Sequence, residues 1–124
     1  MRILIADDSA IVRARLISLL TDLRGIEVVG QAEDAMEARI LAEKLRPDVA
    51  ILDLRMPLGS GADVLIDIKK LNPTPKVIML TNYSHPENRK KCVNGGADYF
   101  FDKSTEFQRV VTVLSDMLRD LAKK

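Results

Sequence analysis

The sequence predicts an α/β fold, a parallel sheet with helices on both faces. Three observations carry that expectation. Short apolar runs alternate five times with stretches of helical periodicity, without low complexity or a linker between them. The runs are apolar on both faces, as strands sandwiched between two helical layers must be. Gly and Pro punctuate the units, and a repeat of about 25 residues is that of a strand–helix unit rather than of a solenoid.

Taken in order, Ile3 to Ala6 is the first apolar strand. From Ser9 the spacing of Val12, Leu16, Leu19, Leu20 and Leu23 is helical, and the pattern stops at Gly25. Val28, Val29 and Gly30 belong to a second strand, after which Asp34 and Glu37 resemble a capping box that turns Ala38, Leu41, Ala42 and Leu45 inward until Pro47. Val49 to Leu52 is a third strand ending on Asp53, and Met56-Pro57-Leu58-Gly59-Ser60-Gly61 is turn chemistry. The next helix carries Val64, Leu65, Ile68 and Leu71 and is broken by Asn72-Pro73-Thr74-Pro75. Val77 to Leu80 is a fourth strand, ending at Thr81. The fourth helix, Pro86 to Asn94, has only Cys92 and Val93 apolar and is expected to be the loosest element. Gly95-Gly96 closes it. Ala97 to Phe101 supplies the fifth strand, and Phe107, Val110, Val111, Leu114, Leu118 and Leu121 line one face of the last helix.

Composition narrows the function classes. A chain of 124 residues is long enough for one domain with a real core. At 47% hydrophobic and 30% charged residues it reads as a folded soluble protein, and no apolar run approaches the length of a bilayer span. The apolar opening meets Asp7 and Asp8 at once, so it is a strand and not a signal peptide. Cys92 is the only cysteine, which excludes an internal disulfide or a cysteine metal cluster and fits a cytoplasmic setting. A net charge of +1 gives no electrostatic reason to expect membrane or direct nucleic-acid binding.

The polar residues then fall into place. Asp7 and Asp8 end the first strand, Asp53 the third and Thr81 the fourth, and Lys103 follows the fifth. In an open parallel sheet all five share the carboxyl edge, where ligands bind. Strand-end acids commonly serve as turn or cap residues, but five such coincidences point to chemistry. Three carboxylates brought together repel one another and call for a hard cation, with Mg2+ the natural candidate, and for the lysine ammonium. Such a cluster suits phosphoryl transfer, with Asp53 as the nucleophile that forms an aspartyl phosphate. Asp8, with Asp7 acting through water, would hold the cation; Thr81 would donate its hydroxyl to one phosphoryl oxygen and Lys103 would pair with another.

Asp7-Asp8, then Asp53-Leu54-Arg55-Met56-Pro57 with Gly61, then Thr81, then Gly96-Ala97-Asp98 leading to Lys103, resembles the receiver domain of bacterial two-component response regulators, the CheY-like superfamily. The resemblance runs from Arg2 to about Leu121 and makes residues 1–124 one receiver domain. It implies a flavodoxin-like (βα)5 fold, a five-stranded parallel sheet of order 2-1-3-4-5. It also implies that Asp53 takes its phosphoryl group from a phosphohistidine on a sensor histidine kinase or a histidine phosphotransfer protein and loses it slowly, with no other enzymatic activity. The Arg55 backbone carbonyl would complete the Mg2+ ligands. New negative charge would draw Thr81 inward and let Phe100, the switch aromatic, turn in, altering the face made by the fourth helix, fifth strand and fifth helix toward a downstream protein target. No effector domain follows the fifth helix, so a stand-alone receiver is expected, although a piece of a longer regulator would read the same.

Several positions depart from the family pattern. Ser104 stands after Lys103 where a proline with a cis bond is usual, and without proline a cis bond would cost about 3 kcal/mol, so a trans bond is expected. Asn82 replaces a very small residue, and Arg55 and Tyr83 flank the entrance, so the rates of phosphoryl exchange are expected to be narrowed or biased. His85 sits in what looks like a helix start, with Ser84 and Glu87 at capping-box spacing, rather than in a relay role. Arg89-Lys90-Lys91 reads as a solvated helix face. Two other classes remain. A Mg2+-dependent phosphatase with an aspartyl nucleophile needs an acid where Arg55 stands, and a phosphorylation-independent scaffold on this fold would have lost one of the five groups.

Overall fold

The computed structural model describes residues 1–123; Lys124, the last residue of the expected domain, lies outside them. The chain runs β1 (Arg2–Ala6), α1 (Ala10–Leu20), β2 (Glu27–Ala32), α2 (Ala35–Leu45), β3 (Val49–Leu52), β4 (Arg55–Met56), β5 (Gly59–Ser60), α3 (Gly61–Ile68), β6 (Lys76–Thr81), α4 (Pro86–Asn94), β7 (Tyr99–Asp102) and α5 (Arg109–Ala122). Five strands form one parallel sheet of order β2-β1-β3-β6-β7, the expected 2-1-3-4-5 arrangement with β6 and β7 as its fourth and fifth members.

Alternation along each strand divides the core in two. Ile3 and Ile5 of β1 face the side covered by α1 and α5, where Leu16, Leu20, Val110 and Leu114 are buried. Leu4 and Ala6 face the opposite side, with Ala38 and Ala42 of α2, Val64, Leu65 and Ile68 of α3, and Cys92 of α4. The small side chains of α2 let it lie close to the sheet. Asp34 caps α2, accepting the Glu37 N–H at 2.7 Å, while the Glu37 carboxylate reaches back to the Glu33 N–H at 3.1 Å.

The elements differ from the sequence reading at their ends. β2 extends from Glu27 to Ala32, and α3 stops at Ile68, leaving Leu71 half-buried in the next turn. The segment expected as a simple turn holds the antiparallel β4–β5 ladder, Arg55 opposite Ser60 and Met56 opposite Gly59. The fifth long strand begins at Tyr99 rather than Ala97, because Gly96 takes a φ of 104° and Asp98 spends its carboxylate on the Val77 N–H. Phe107 is buried but precedes α5. Leu121, expected inward, is 54% exposed, since a 14-residue helix overruns the four-residue β7.

In α4, Cys92 is the one buried residue, and Val93 is 52% exposed. The expected Ser84–Glu87 capping box does not form. His85 occupies the N-cap position without a side-chain bond, Pro86 opens the helix, and the Ser84 hydroxyl instead donates to the Asp102 carboxylate, a charged and therefore stronger acceptor. His85, Lys90 and Lys91 are exposed.

Candidate functional site

Each acid of the site lies at the carboxyl end of a strand and continues its ladder. Asp7 donates its N–H to Ala32 at 3.0 Å, Asp53 to Ala6 at 3.0 Å, and Lys103 to Thr81 at 2.9 Å. This register delivers residues 50 and 96 positions apart to one point. The Lys103 ammonium lies 2.7 Å from Asp7 Oδ2 and 2.8 Å from Asp53 Oδ2. Asp7, Asp8 and Asp53 offer oxygens within 4.8 Å of one another. Asp7 and Asp53 are buried, whereas Asp8 is exposed at the rim. They line a cavity of about 440 Å³ with Ser9, Arg55, Asn82 and Tyr83.

Gly61 explains how Asp53 is framed. A Cβ there would stand 2.0 Å from the Asp53 carbonyl oxygen, so only glycine lets the β4–β5 hairpin fold the start of α3 against the acid. The Gly61 N–H closes that approach on the Leu54 carbonyl at 2.7 Å.

Three carboxylates face one ammonium. Burial pushes the Asp7 carboxyl above its usual range, against the opposing pull of Lys103 and of the Ser9 N–H, which donates to Asp7 Oδ1 at 2.8 Å. Burial works to lower the Lys103 ammonium, but the hydrogen bonds to Asp53 and Asp7 outweigh it and hold the group above the ordinary lysine value. The two directions agree: the lysine, shared by two acids, is held firmly in its charged form, while its ammonium offsets only part of what burial costs Asp7. Asp53 Oδ1 is buried without any hydrogen-bond partner. A bare acceptor beside two further carboxylates fits a hard oxygen-seeking cation, so the residues present suit Mg2+.

Thr81 is fully buried, and its hydroxyl oxygen accepts the Tyr83 N–H at 3.1 Å, which leaves the hydroxyl proton free to donate. Thr81 is not among the residues that line the cavity, whereas its neighbours Asn82 and Tyr83 are. The Arg55 guanidinium stacks over the Tyr83 ring at 4.0 Å, joining the two residues expected at the entrance. Phe100 is 3% exposed and so already lies inside, with the Arg89 guanidinium 4.9 Å above its ring. The Lys103–Ser104 bond is trans; the one cis bond among the described residues precedes Pro73.

Residues 3–115 match the response regulator receiver domain family. The chain belongs to that family. Receiver domains are phosphoryl-accepting signalling switches that bind Mg2+ at an acidic pocket, and Asp7, Asp8 and Asp53 form an acidic cluster here. The structure is similar to the response regulator domain of Thermotoga maritima CheB (31% identity, 97% of this chain and 94% of that one, TM-score 0.82). It is also similar to the signal receiver domain of the putative response regulator NarL from Mycobacterium tuberculosis (27% identity, 95% of each chain, TM-score 0.86). A DNA-binding response regulator of the LuxR family from Staphylococcus aureus is a further neighbour (27% identity, 93% of this chain and 96% of that one, TM-score 0.85). In sequence, a protein-glutamate methylesterase/protein-glutamine glutaminase of Carboxydothermus hydrogenoformans is 34% identical over 99% of this chain. The receiver chain spans 37% of that relative's length and 24% of a Rhizobium johnstonii counterpart that is 43% identical over 84 residues.

Sequence reasoning missed the groups that hold the site from behind. Arg13 donates to the Asp7 carbonyl at 2.6 Å from one turn into α1, and Asp102 organises the chain around Lys103. Asp102-Lys103-Ser104-Thr105 did carry a signal, since Asp before Ser and Thr favours a turn closed by the carboxylate. Among the described residues no helix is long and apolar enough to cross a membrane.

Proposed function

We propose that Asp53 accepts a phosphoryl group from the phosphohistidine of a sensor histidine kinase or histidine phosphotransfer protein, in the cytoplasm, and that the face made by α4, β7 and α5 carries the signal to a downstream protein. One carboxylate oxygen of Asp53 attacks phosphorus; the new O–P bond forms as the P–N bond breaks, and its electron pair stays on the imidazole of the donor. Lys103, already bonded to Asp53, pairs with a phosphoryl oxygen, and Thr81 turns its free hydroxyl proton to another. Asp8, Asp53 and the Arg55 backbone carbonyl would hold Mg2+, with Asp7 acting through water. That ion would neutralise charge on the phosphoryl oxygens. Loss of the group is hydrolysis: water attacks phosphorus, the O–P bond breaks with its electrons returning to the Asp53 carboxylate, and phosphate departs. The reaction in these residues is confined to this self-phosphorylation and self-dephosphorylation.

The observation that carries the reading is the buried, unpartnered Asp53 Oδ1 beside a shared ammonium. Phe100, packed under Arg89 of α4, is the proposed link from Thr81 to the signalling face. The test is intact mass after incubation with acetyl phosphate and Mg2+. A hydroxylamine-labile phosphoryl adduct is expected in the wild-type chain and none in Asp53→Asn. An adduct that survives in Asp53→Asn overturns the assignment.

A further inference from the structure

A cluster of side chains binds the backbone around Lys103 from outside the pocket. The Asp102 carboxylate accepts, through Oδ1, the N–H groups of Ser104 at 2.8 Å and Thr105 at 3.0 Å, which bends the chain across Lys103. The Asp102 N–H donates to Glu106 Oε1 at 3.0 Å, and the Glu106 carboxylate lies 2.7 Å from Arg109 and 3.6 Å from Arg89 of α4. These bonds suffice to make the turn. Two more do something else. Asp102 Oδ2 accepts the Ser84 hydroxyl, and the Ser104 hydroxyl donates to Asn82 Oδ1 at 3.2 Å.

Those two bonds join separate loops. One carries Lys103; the other, residues 82–84, carries Asn82 and Tyr83, which line the same cavity as Asp53 and Lys103. The ammonium bridges two acids at 2.7 and 2.8 Å, so displacement of its loop by about 1 Å would break one bond and misplace the charge, an error of the kind that slows catalysis many-fold. A turn that needed only to fold would have no use for an acceptor aimed at another loop.

We propose that Ser84 and Asp102 are positioning residues for phosphoryl transfer: their hydrogen bond fixes the loop that carries Lys103 to the loop that carries Asn82 and Tyr83, so that the rate at which Asp53 gains its phosphoryl group depends on it. This inference rests on Asp53 being the phosphoacceptor. Neither residue touches the reacting atoms; both act through the backbone of Lys103 and of the facing loop.

The experiment follows uptake from acetyl phosphate with Mg2+ by time-resolved intact mass, in which Asp53 gains the phosphoryl group and acetate departs. It uses the wild-type chain, Ser84→Ala, Ser84→Thr, Asp102→Ala and the Ser84→Ala/Asp102→Ala double variant, with a thermal melt of each. Ser84→Ala is expected to slow uptake about tenfold while its melting midpoint stays within about 3 °C of wild type. Ser84→Thr keeps the hydroxyl and restores the rate to within about twofold of wild type. The double variant is no slower than Asp102→Ala alone, because both changes remove the same bond. Ser84→Ala at the wild-type rate, or Ser84→Thr as slow as Ser84→Ala, overturns the inference while leaving Asp53 as the acceptor. A wild-type chain that takes no phosphoryl group overturns the acceptor assignment and this inference with it.

Discussion

Replacing Lys103 by methionine keeps the length of the side chain and removes its charge. Asp7 and Asp53, both buried, would then face each other and Asp8 with no cation between them. Removing one partner of a fully buried ion pair costs about 3–5 kcal/mol, because the remaining charge stays desolvated. Here the cavity opens to solvent on one side and Asp8 is exposed, so the lower end, about 3 kcal/mol, is the expected loss. For a domain of this size that is a fall of about 10–15 °C in melting midpoint.

The assay is urea denaturation at pH 7 in EDTA, so that no divalent cation can substitute for the ammonium. Adding Asp53→Asn to Lys103→Met returns the balance of charge to that of the parent and should recover about 1–2 kcal/mol of the loss, a coupling that independent sites would not show. Mg2+ should stabilise Lys103→Met more than wild type, since the vacated ammonium leaves a more negative pocket. Equal stability of Lys103→Met and wild type in EDTA would refute the claim that the ammonium compensates the acids.

Other expectations follow from the same geometry. Gly61→Ala would drive a Cβ to 2.0 Å from the Asp53 carbonyl oxygen; neither backbone can yield, so it should cost about 3 kcal/mol in denaturant unfolding and slow uptake of a phosphoryl group. Burial alone would raise the Asp98 carboxyl, but the Lys69 ammonium at 2.6 Å and the Val77 N–H at 2.8 Å hold it below the usual carboxylate value. The unfolded chain therefore binds the proton more readily, so this stability is fully present above about pH 4 and is lost as pH falls through the lower folded-state value. Asp98→Asn should cost about 1 kcal/mol at pH 7, with the gap to wild type narrowing as pH falls below the ordinary carboxylate value of about 4 in an acid titration followed by circular dichroism. Tyr83→Ala removes the ring under Arg55 and widens the mouth of the pocket; stability should fall by about 0.5–1 kcal/mol while the adduct forms and decays several-fold faster by intact mass.

The parts of this fold visible in the sequence are those set by short-range pattern. Ile3 to Ala6 and Val77 to Leu80 are apolar without interruption, which only burial on both faces explains, and the acids and the threonine that end the strands lie where a parallel sheet must gather them. The β4–β5 ladder was hidden because Met56-Pro57-Leu58-Gly59 reads equally as an open turn; its pairing depends on Leu58 adopting a φ of 64°, which leucine does not advertise. The Ser84 cap failed for a related reason. A hydroxyl three residues before Glu87 has a local partner by spacing, but Asp102, 18 residues later, offers a charged acceptor that no short window along the chain contains. Arg13 was invisible as a site residue because it acts on a carbonyl, and backbone acceptors have no sequence signature.

The three helices on one side of the sheet are held with different firmness, and the difference bears on how a change at Asp53 could travel. α2 and α3 press buried Ala35, Ala38, Ala42, Val64, Leu65 and Ile68 onto the strands, whereas α4 commits Cys92 alone. Polar side chains add to that hold: Arg89 lies over Phe100 and beside Glu106, and the Asn88 amide donates to the Tyr83 carbonyl at 3.0 Å. Glu106 in turn holds the N–H of Asp102, next to Lys103. A helix with so little apolar area under it has a small free energy of local displacement. Its position therefore depends strongly on polar contacts that begin one residue from Lys103, so the expected route by which charge added at Asp53 would reach α4 is a shift of a few hydrogen bonds together with a repacking of Phe100 under Arg89.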